Sequence, residues 1–305
     1  MRALREACAA VAAHARYVAV MVEAIPQYAA ALSLSGRPKC PAAPPPTGAD
    51  RERLAAFWLT LDAINFGSGW FPTLRKRAGL SGYNTIAAAL HERAETRGTW
   101  TAAELAEITS PELAAVLGQD PDHELMARYA ASLNDLGRRV AAAPGGEFAA
   151  VVDAAGGSAV ALATALGGWD CFADCSRYGG LRIPFLKRAQ IAAADLHRAG
   201  VARFADLAQL TMFADNLVPH VLRLDGILRF DPELVARIDR EELIAHDSPE
   251  EIEIRACGLH AVELITAALP ADGATAAEID QVLWERGQQP VYKASPRHRS
   301  RCTAY

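Results

Sequence analysis

The stretch SPEEIEIRACGLHAVELITAAL, residues 248–269, decides the fold class. Ser248 precedes Pro249 and stands three positions ahead of Glu251. This is the S/T-x-x-E form of a helix start, in which the first side chain accepts from a free backbone N–H. Apolar residues then recur at Ile252, Ala256, Leu259, Val262, Ile265 and Leu269. Steps of three and four put them on one helical face, so the segment is expected to bury one side against a core. The same punctuation recurs along the chain. Thr101–Glu104 and Thr275–Glu278 have the box form, while Ser110-Pro111-Glu112 and Asp231-Pro232-Glu233 place a capping side chain before a proline at the first helical position. Helical spacing also fits residues 51–66, 122–142, 147–166 and 185–199. Alternating strand patterns are nearly absent, and the best extended candidate is Leu181–Ile183. The reading is a mainly α protein, one multi-helical body over residues 1–305, without repeats of fixed period.

A chain of 305 residues is ample for a real core, and 51% hydrophobic with 22% charged residues is ordinary for a globular protein. The formal net charge of −5 argues against gripping long nucleic acid, whose phosphates call for a basic face. A small anion needs only a local cluster of Lys and Arg. The six cysteines, at 8, 40, 171, 175, 257 and 302, form no CxxC pair, and there is no HExxH. They read as reduced thiols in a cytoplasmic protein, with no metal and no disulfide framework. The Ala-rich start is interrupted by Arg2, Arg5, Glu6, His14 and Arg16, which makes an amphipathic helix and not a signal peptide or membrane span. Residues 148–168 are apolar but broken by Asp153 and Gly156-Gly157, and read as buried helix. The stretch SGRPKCPAAPPPTGAD, residues 35–50, holds five prolines and is expected to be a loop joining an N-terminal helical arm to the body.

Residues 170–226 carry the chemistry. They contain a Gly179-Gly180 turn, the cationic helix start Lys187-Arg188, a helix stop at Gly200, and Asp215 in the Pro-bounded loop FADNLVP. A carboxylate between Phe213 and Pro219 either caps a helix starting near Leu217 or stabilises positive charge at a reacting centre. Asp62 and Asn65 close the helix FWLTLDAINF; three apart, they share a face, where they either brace the helix end or reach one ligand edge. Lys187 and Arg188, and the run Arg297-His298-Arg299-Ser300-Arg301, are candidates for an anion, against a solvated tail for the latter. Phe172, Trp70, Tyr178 and Phe213 are stacking candidates with core packing as the alternative. Asp174 and His220 lie near the motif, and Glu251, Glu253 and Arg255 suit capping and helix ion pairs. Gly67-Ser68-Gly69 follows a helix and lacks a third glycine, so it is no dinucleotide fingerprint.

Five strings in order, LDAINF (61–66), FLKRAQI (185–191), LTMFAD (210–215), EIRA (253–256) and HRSR (298–301), resemble the queuosine salvage family from about residue 55 onward. The resemblance implies an N-glycosidase that takes queuosine 5′-phosphate and water to queuine and ribose 5-phosphate, without metal or redox cofactor. It implies Asp215 as the catalytic carboxylate. It further implies Asp62, Asn65, Phe172, Lys187, Phe213, His298, Arg299 and Arg301 as substrate-binding, with Lys187 and Arg299/Arg301 on the phosphate. The layout also looks like the helix-hairpin-helix DNA glycosylases, with Gly179-Gly180 through Lys187 as the hairpin region and Asp215 as the aspartate. Two other functions compete: an N-glycosidase for a different modified nucleotide, and a helix-hairpin-helix nucleic-acid-binding module, which the charge of −5 opposes.

Overall fold

A computed structural model describes residues 1–32, 44–270 and 273–305. The expected proline-rich loop falls mainly outside the described residues. The decisive stretch is one helix, Pro249–Ala268, with Ser248 Oγ accepting from Glu251 N–H at 3.3 Å. Glu251 does not close the box; its carboxylate accepts from Asp247 N–H at 3.2 Å and faces Arg255 instead. Reciprocal boxes close at Thr101/Glu104 and Thr275/Glu278. At residues 109–112 the cap is Thr109 and not Ser110, because Thr109 is the residue three positions before Glu112 and completes the box. The expected 147–166 helix is two, Phe148–Asp153 and Ala159–Leu166, since Gly156 and Gly157 take φ +60° and +80° between them. The helices expected over 51–66, 122–142 and 185–199 are Arg51–Ala63, Glu124–Ala141 and Lys187–Arg198.

Two antiparallel strand pairs join these helices. Ser176–Tyr178 pairs with Leu181–Ile183 through Gly179 and Gly180, at φ +53° and +84°. Two successive residues with positive φ are what a tight β-hairpin turn requires. The Gly-Gly pair therefore turns a β-hairpin whose second strand is the expected extended piece, Leu181–Ile183. Val18–Val20 pairs with Leu228–Phe230. Three-residue strands give no alternation to read, which is why this pair left no signal in the sequence.

The arm is docked by charge. The buried Glu253 carboxylate accepts from the backbone N–H groups of Arg16, Tyr17 and Val18 at 2.9, 2.6 and 3.1 Å, and from Tyr178 Oη–H at 2.6 Å. Buried hydrophobic residues form two large clusters, one built on the helices from Arg51–Ala63 to Lys187–Arg198 and one on Pro249–Ala268 with the N-terminal arm. The chain passes between them several times, and the passages from Phe185 to Ala189 and from Leu210 to Ala214 lie inside the strings singled out for chemistry. Among the described residues, no helix is long and apolar enough to cross a membrane.

Candidate active site

Where the two cores meet, a cavity of about 520 Å³ opens, within the size range of small-molecule sites. Asp215 lines it. Its Oδ1 accepts from Leu217 and Val218 N–H at 2.9 and 3.1 Å, capping the helix Leu217–Leu224. Its other oxygen makes no hydrogen bond to the described residues. Capping therefore occupies one oxygen and leaves the other without a protein partner among the described residues. The loop is clipped at each neighbouring residue. Phe213 N–H donates to Asp280 Oδ1 at 3.0 Å, Arg255 Nε donates to Ala214 O at 2.9 Å, and Asn216 Nδ2 donates to His298 O at 2.9 Å. These bonds hold the Asp215 loop in one geometry.

Lys187 is buried against this loop. Its backbone N–H donates to Asp174 Oδ2 at 2.9 Å, and its ammonium donates to Asn65 O at 2.9 Å and Asn65 Oδ1 at 3.2 Å. Burial pushes the ammonium down to about 8, against the pull of Asp215. Leu186, just before it, sits at φ +54°, a left-handed conformation that costs a branched residue energy and aims the helix start. Asp174 is locked in turn by Arg255 Nη2, at 2.9 and 2.7 Å to its two oxygens. Arg255 also covers the rings of Phe185 and Tyr305, at 4.0 and 4.9 Å.

Of the residues expected to bind substrate, Asn65, Lys187, Phe213 and Arg299 line the cavity with Asp215. The structure places the other four elsewhere. Phe172 is fully buried in the first core, with the Arg188 guanidinium 5.7 Å from its ring, because the η-turn that carries it packs on the helix Glu124–Ala141. His298 is buried behind the wall against Tyr305, 3.3 Å from its hydroxyl, and burial pushes it down to about 3, so it stays neutral. Arg301 lies outside the wall, 3.7 Å from Glu124 and 6.0 Å from the Trp70 ring. Trp70 itself donates to Glu124 at 2.9 Å, and Tyr178 is tied to Glu253 outside the cavity. His220 is held by Tyr292 O at 2.8 Å and pushed down to about 4 by burial. Among the described residues no histidine lines the cavity.

Asp62 has no exposed surface and is not on the wall. Neither of its oxygens has a hydrogen-bond partner of ordinary geometry. Burial, then the charge of Asp195, holds its carboxyl well above the usual range, with Asn65 and Lys187 only partly offsetting. A folded-state value above the unfolded one means that stability falls as pH rises from about 4, the ordinary carboxyl value. Asp62→Asn is therefore expected to melt higher than the parent at pH 8, with a gap that narrows toward pH 4. A gap of the opposite sign at pH 8 would show that Asp62 is ionised and paired with Lys187.

Sequence reasoning missed several wall residues. Ile191, Asp195 and Arg198 follow the expected Lys187 at steps of four, four and three along one helix, so one face supplies them all. That spacing was a readable signal. Asp195 is pushed up to about 6 by burial despite its ion pair with Arg198 at 2.6 Å. Asp280 and Trp284 come from the helix Ala276–Arg286, where no motif pointed to them. Burial, then Asp215, holds Asp280 well above the usual carboxyl range. The Gly67-Ser68-Gly69 bend seats the segment that closes the cavity: Gly67 N–H donates to Tyr305 O at 3.1 Å, and a Cβ on Gly69 would lie 2.4 Å from Ser300 O. Outside the cavity, His246 lies between two carboxylates, with Nδ1 3.4 Å from Glu251 and Nε2 3.8 Å from Asp247. Burial opposes its charge, but Cys302 and Glu251 push it up to about 10, so it is an imidazolium in an ion-pair cluster.

The family model for the queuosine salvage protein matches residues 45–305, which contain the whole cavity wall. The chain belongs to the queuosine salvage family. A relative from Sphaerobacter thermophilus, named queuosine 5′-phosphate N-glycosylase/hydrolase, is 38% identical over 266 residues, covering 84% of this chain and 82% of the relative. Relatives of the same name from Bos taurus and Mus musculus are 29% and 30% identical, each over 85% of this chain and 84% of their own length.

Proposed function

We propose that this member of the queuosine salvage family is a nucleotide N-glycosidase that hydrolyses queuosine 5′-phosphate to queuine and ribose 5-phosphate. The observation that carries the chemistry is Asp215: a carboxylate with one oxygen fixed by a helix start and the other turned to a cavity of nucleotide size. When the bond from C1′ to the base nitrogen breaks, its electron pair leaves with the base, and the ribose becomes oxocarbenium-like. Whether Asp215 takes a proton from the attacking water or attacks C1′ itself, its negative charge beside that carbon is what lowers the barrier. Asp280, whose carboxyl burial and then Asp215 hold well above the usual range, lies on the same wall and suits a hydrogen bond to the departing base. Asn65 and Phe213 supply a polar edge and a ring beside it. Helix–loop–aspartate–helix order around Asp215 supports the likeness to helix-hairpin-helix glycosylases, although Gly179-Gly180 no longer does. The free state of the five described cysteines fits work in the cytoplasm.

Incubation of the pure protein with queuosine 5′-phosphate, guanosine 5′-phosphate and a chelator tests this reading. Free queuine is expected from the first substrate alone, at the same rate with and without the chelator. Activity lost with chelator and restored by zinc or magnesium would refute a mechanism built on carboxylates. Release of guanine at a comparable rate would move the protein to a broader nucleotide N-glycosidase.

A further inference from the structure

We propose that Arg297 is the anchor for the substrate's 5′-phosphate, an inference that rests on reading the cavity as a nucleotide site. Arg297 is half-buried on the wall, yet its guanidinium makes no hydrogen bond or ion pair with any described residue. Every other guanidinium or buried ammonium near the wall has a partner. Lys187 donates to Asn65, Arg198 is 2.6 Å from Asp195, and Arg299 is 3.4 Å from Glu241. Lys76 and Lys293 also line the cavity, but both are exposed, so they add attraction at the rim and no fixed geometry.

Five N–H donors in a half-desolvated place, with no acceptor, are unfavourable unless an anion completes them. Burial and the neighbouring Arg299 both press against the charge of Arg297, and only Asp215 favours it. A phosphate monoester dianion, gripped by two parallel N–H bonds, matches that deficit in charge and shape.

The backbone fixes where the anchor sits. Pro296 O accepts from Arg223 Nη2 at 3.3 Å, and His298 O accepts from Asn216 Nδ2 at 2.9 Å. Arg297 is thus held between the two ends of the helix that Asp215 caps, by Arg223 in its last turn and by Asn216 at its start, the residue next to Asp215. An anion at Arg297 is held at a set remove from the carboxylate, as the two ends of a ribose 5-phosphate require. The Arg297 site replaces Lys187 and Arg301 as the phosphate contact, since the first is committed to Asn65 and the second lies outside the wall.

The test compares parent, Arg297→Gln and Arg297→Lys as full chains. Three quantities are measured: kcat/KM on queuosine 5′-phosphate and on queuosine, calorimetric binding of ribose 5-phosphate and of inorganic phosphate, and the melting temperature. Loss of a charge-assisted pair of bonds is expected to cut the nucleotide-over-nucleoside preference about 10- to 100-fold in Arg297→Gln. Ribose 5-phosphate binding should weaken to a similar degree, Arg297→Lys should recover part of both, and the melting temperature should not fall. An unchanged preference with unchanged ribose 5-phosphate binding would overturn the assignment while leaving the glycosidase intact. A parent that binds ribose 5-phosphate through Arg297 but releases no queuine would support the anchor and sink the glycosidase reading. Binding of inorganic phosphate alone, with no affinity for ribose 5-phosphate, would also overturn it.

Discussion

Asp215→Asn is expected to fold as the parent does and to lose at least ~100-fold in turnover, about 2.7 kcal/mol of transition-state stabilisation. The amide oxygen can still accept from Leu217 and Val218 N–H, now at 2.9 and 3.1 Å from the carboxylate. Asn and Asp rank alike as helix caps, so the local structure has no reason to change. What is lost is the negative charge facing the cavity and the ability to take a proton. Release of free queuine and thermal melting, measured on one preparation, separate the two roles. Turnover within a few-fold of the parent would leave Asp215 as a cap alone and make Asp280, the neighbouring wall carboxylate, the next to test. Asp62 and Asp174 are poorer alternatives, one sealed from the cavity and the other locked to Arg255.

The largest stability effect is expected at Arg255. This side chain is fully buried, bonds both oxygens of the fully buried Asp174, and lies 3.7 Å from the fully buried Glu251. Arg255→Met removes the guanidinium that balances Asp174 and, together with the His246 imidazolium, Glu251. Breaking a buried pair from one side typically costs about 3–5 kcal/mol, because the partner's charge stays behind without compensation. The change also frees Ala214 O, so the Asp215 loop loses one of its three clips. A urea midpoint shift at constant slope measures the loss. The double variant Arg255→Met/Asp174→Asn should be more stable than Arg255→Met alone, since it removes one orphaned charge. A loss below about 1 kcal/mol in the single variant would mean that water or rearrangement satisfies Asp174, and that the pair matters little.

Much of this was legible because it is local. Helix starts are contests between a side chain and the N–H groups two or three residues on, so Ser248, Thr101, Thr275 and Asp231 announced themselves. Asp215 was visible for the same reason: an acid between an aromatic and a proline, at a helix start, is an uncommon string. Two capping details differed within correct elements: Thr109 caps in place of Ser110, and Glu251 leaves the box at Ser248 open. The Gly179-Gly180 pair was legible as a turn ahead of the extended piece Leu181–Ile183, but glycine dictates positive φ without saying that a strand stands on its other side.

The segment 297–301 shows where local reading stops. Its basic and polar residues alternate, and burial alternates with them: His298 and Ser300 are sealed, while Arg297, Arg299 and Arg301 are at least partly exposed. The sequence by itself determined that the three arginines share a side. It did not determine that the cavity ends before Arg301, that Glu241 occupies Arg299, or that Arg297 is left without a carboxylate. Those outcomes depend on where Glu124, Glu241 and Asp215 arrive, from three distant parts of the chain. The same holds for Lys187, whose ammonium faces Asn65 because Leu186 turns the helix start inward. Caps, turns and helical faces follow from residues within a turn or two of one another, and the sequence states them. Ion-pair partners and shared cavities are chosen among residues that meet only after two cores have packed, and tertiary structure alone decides them.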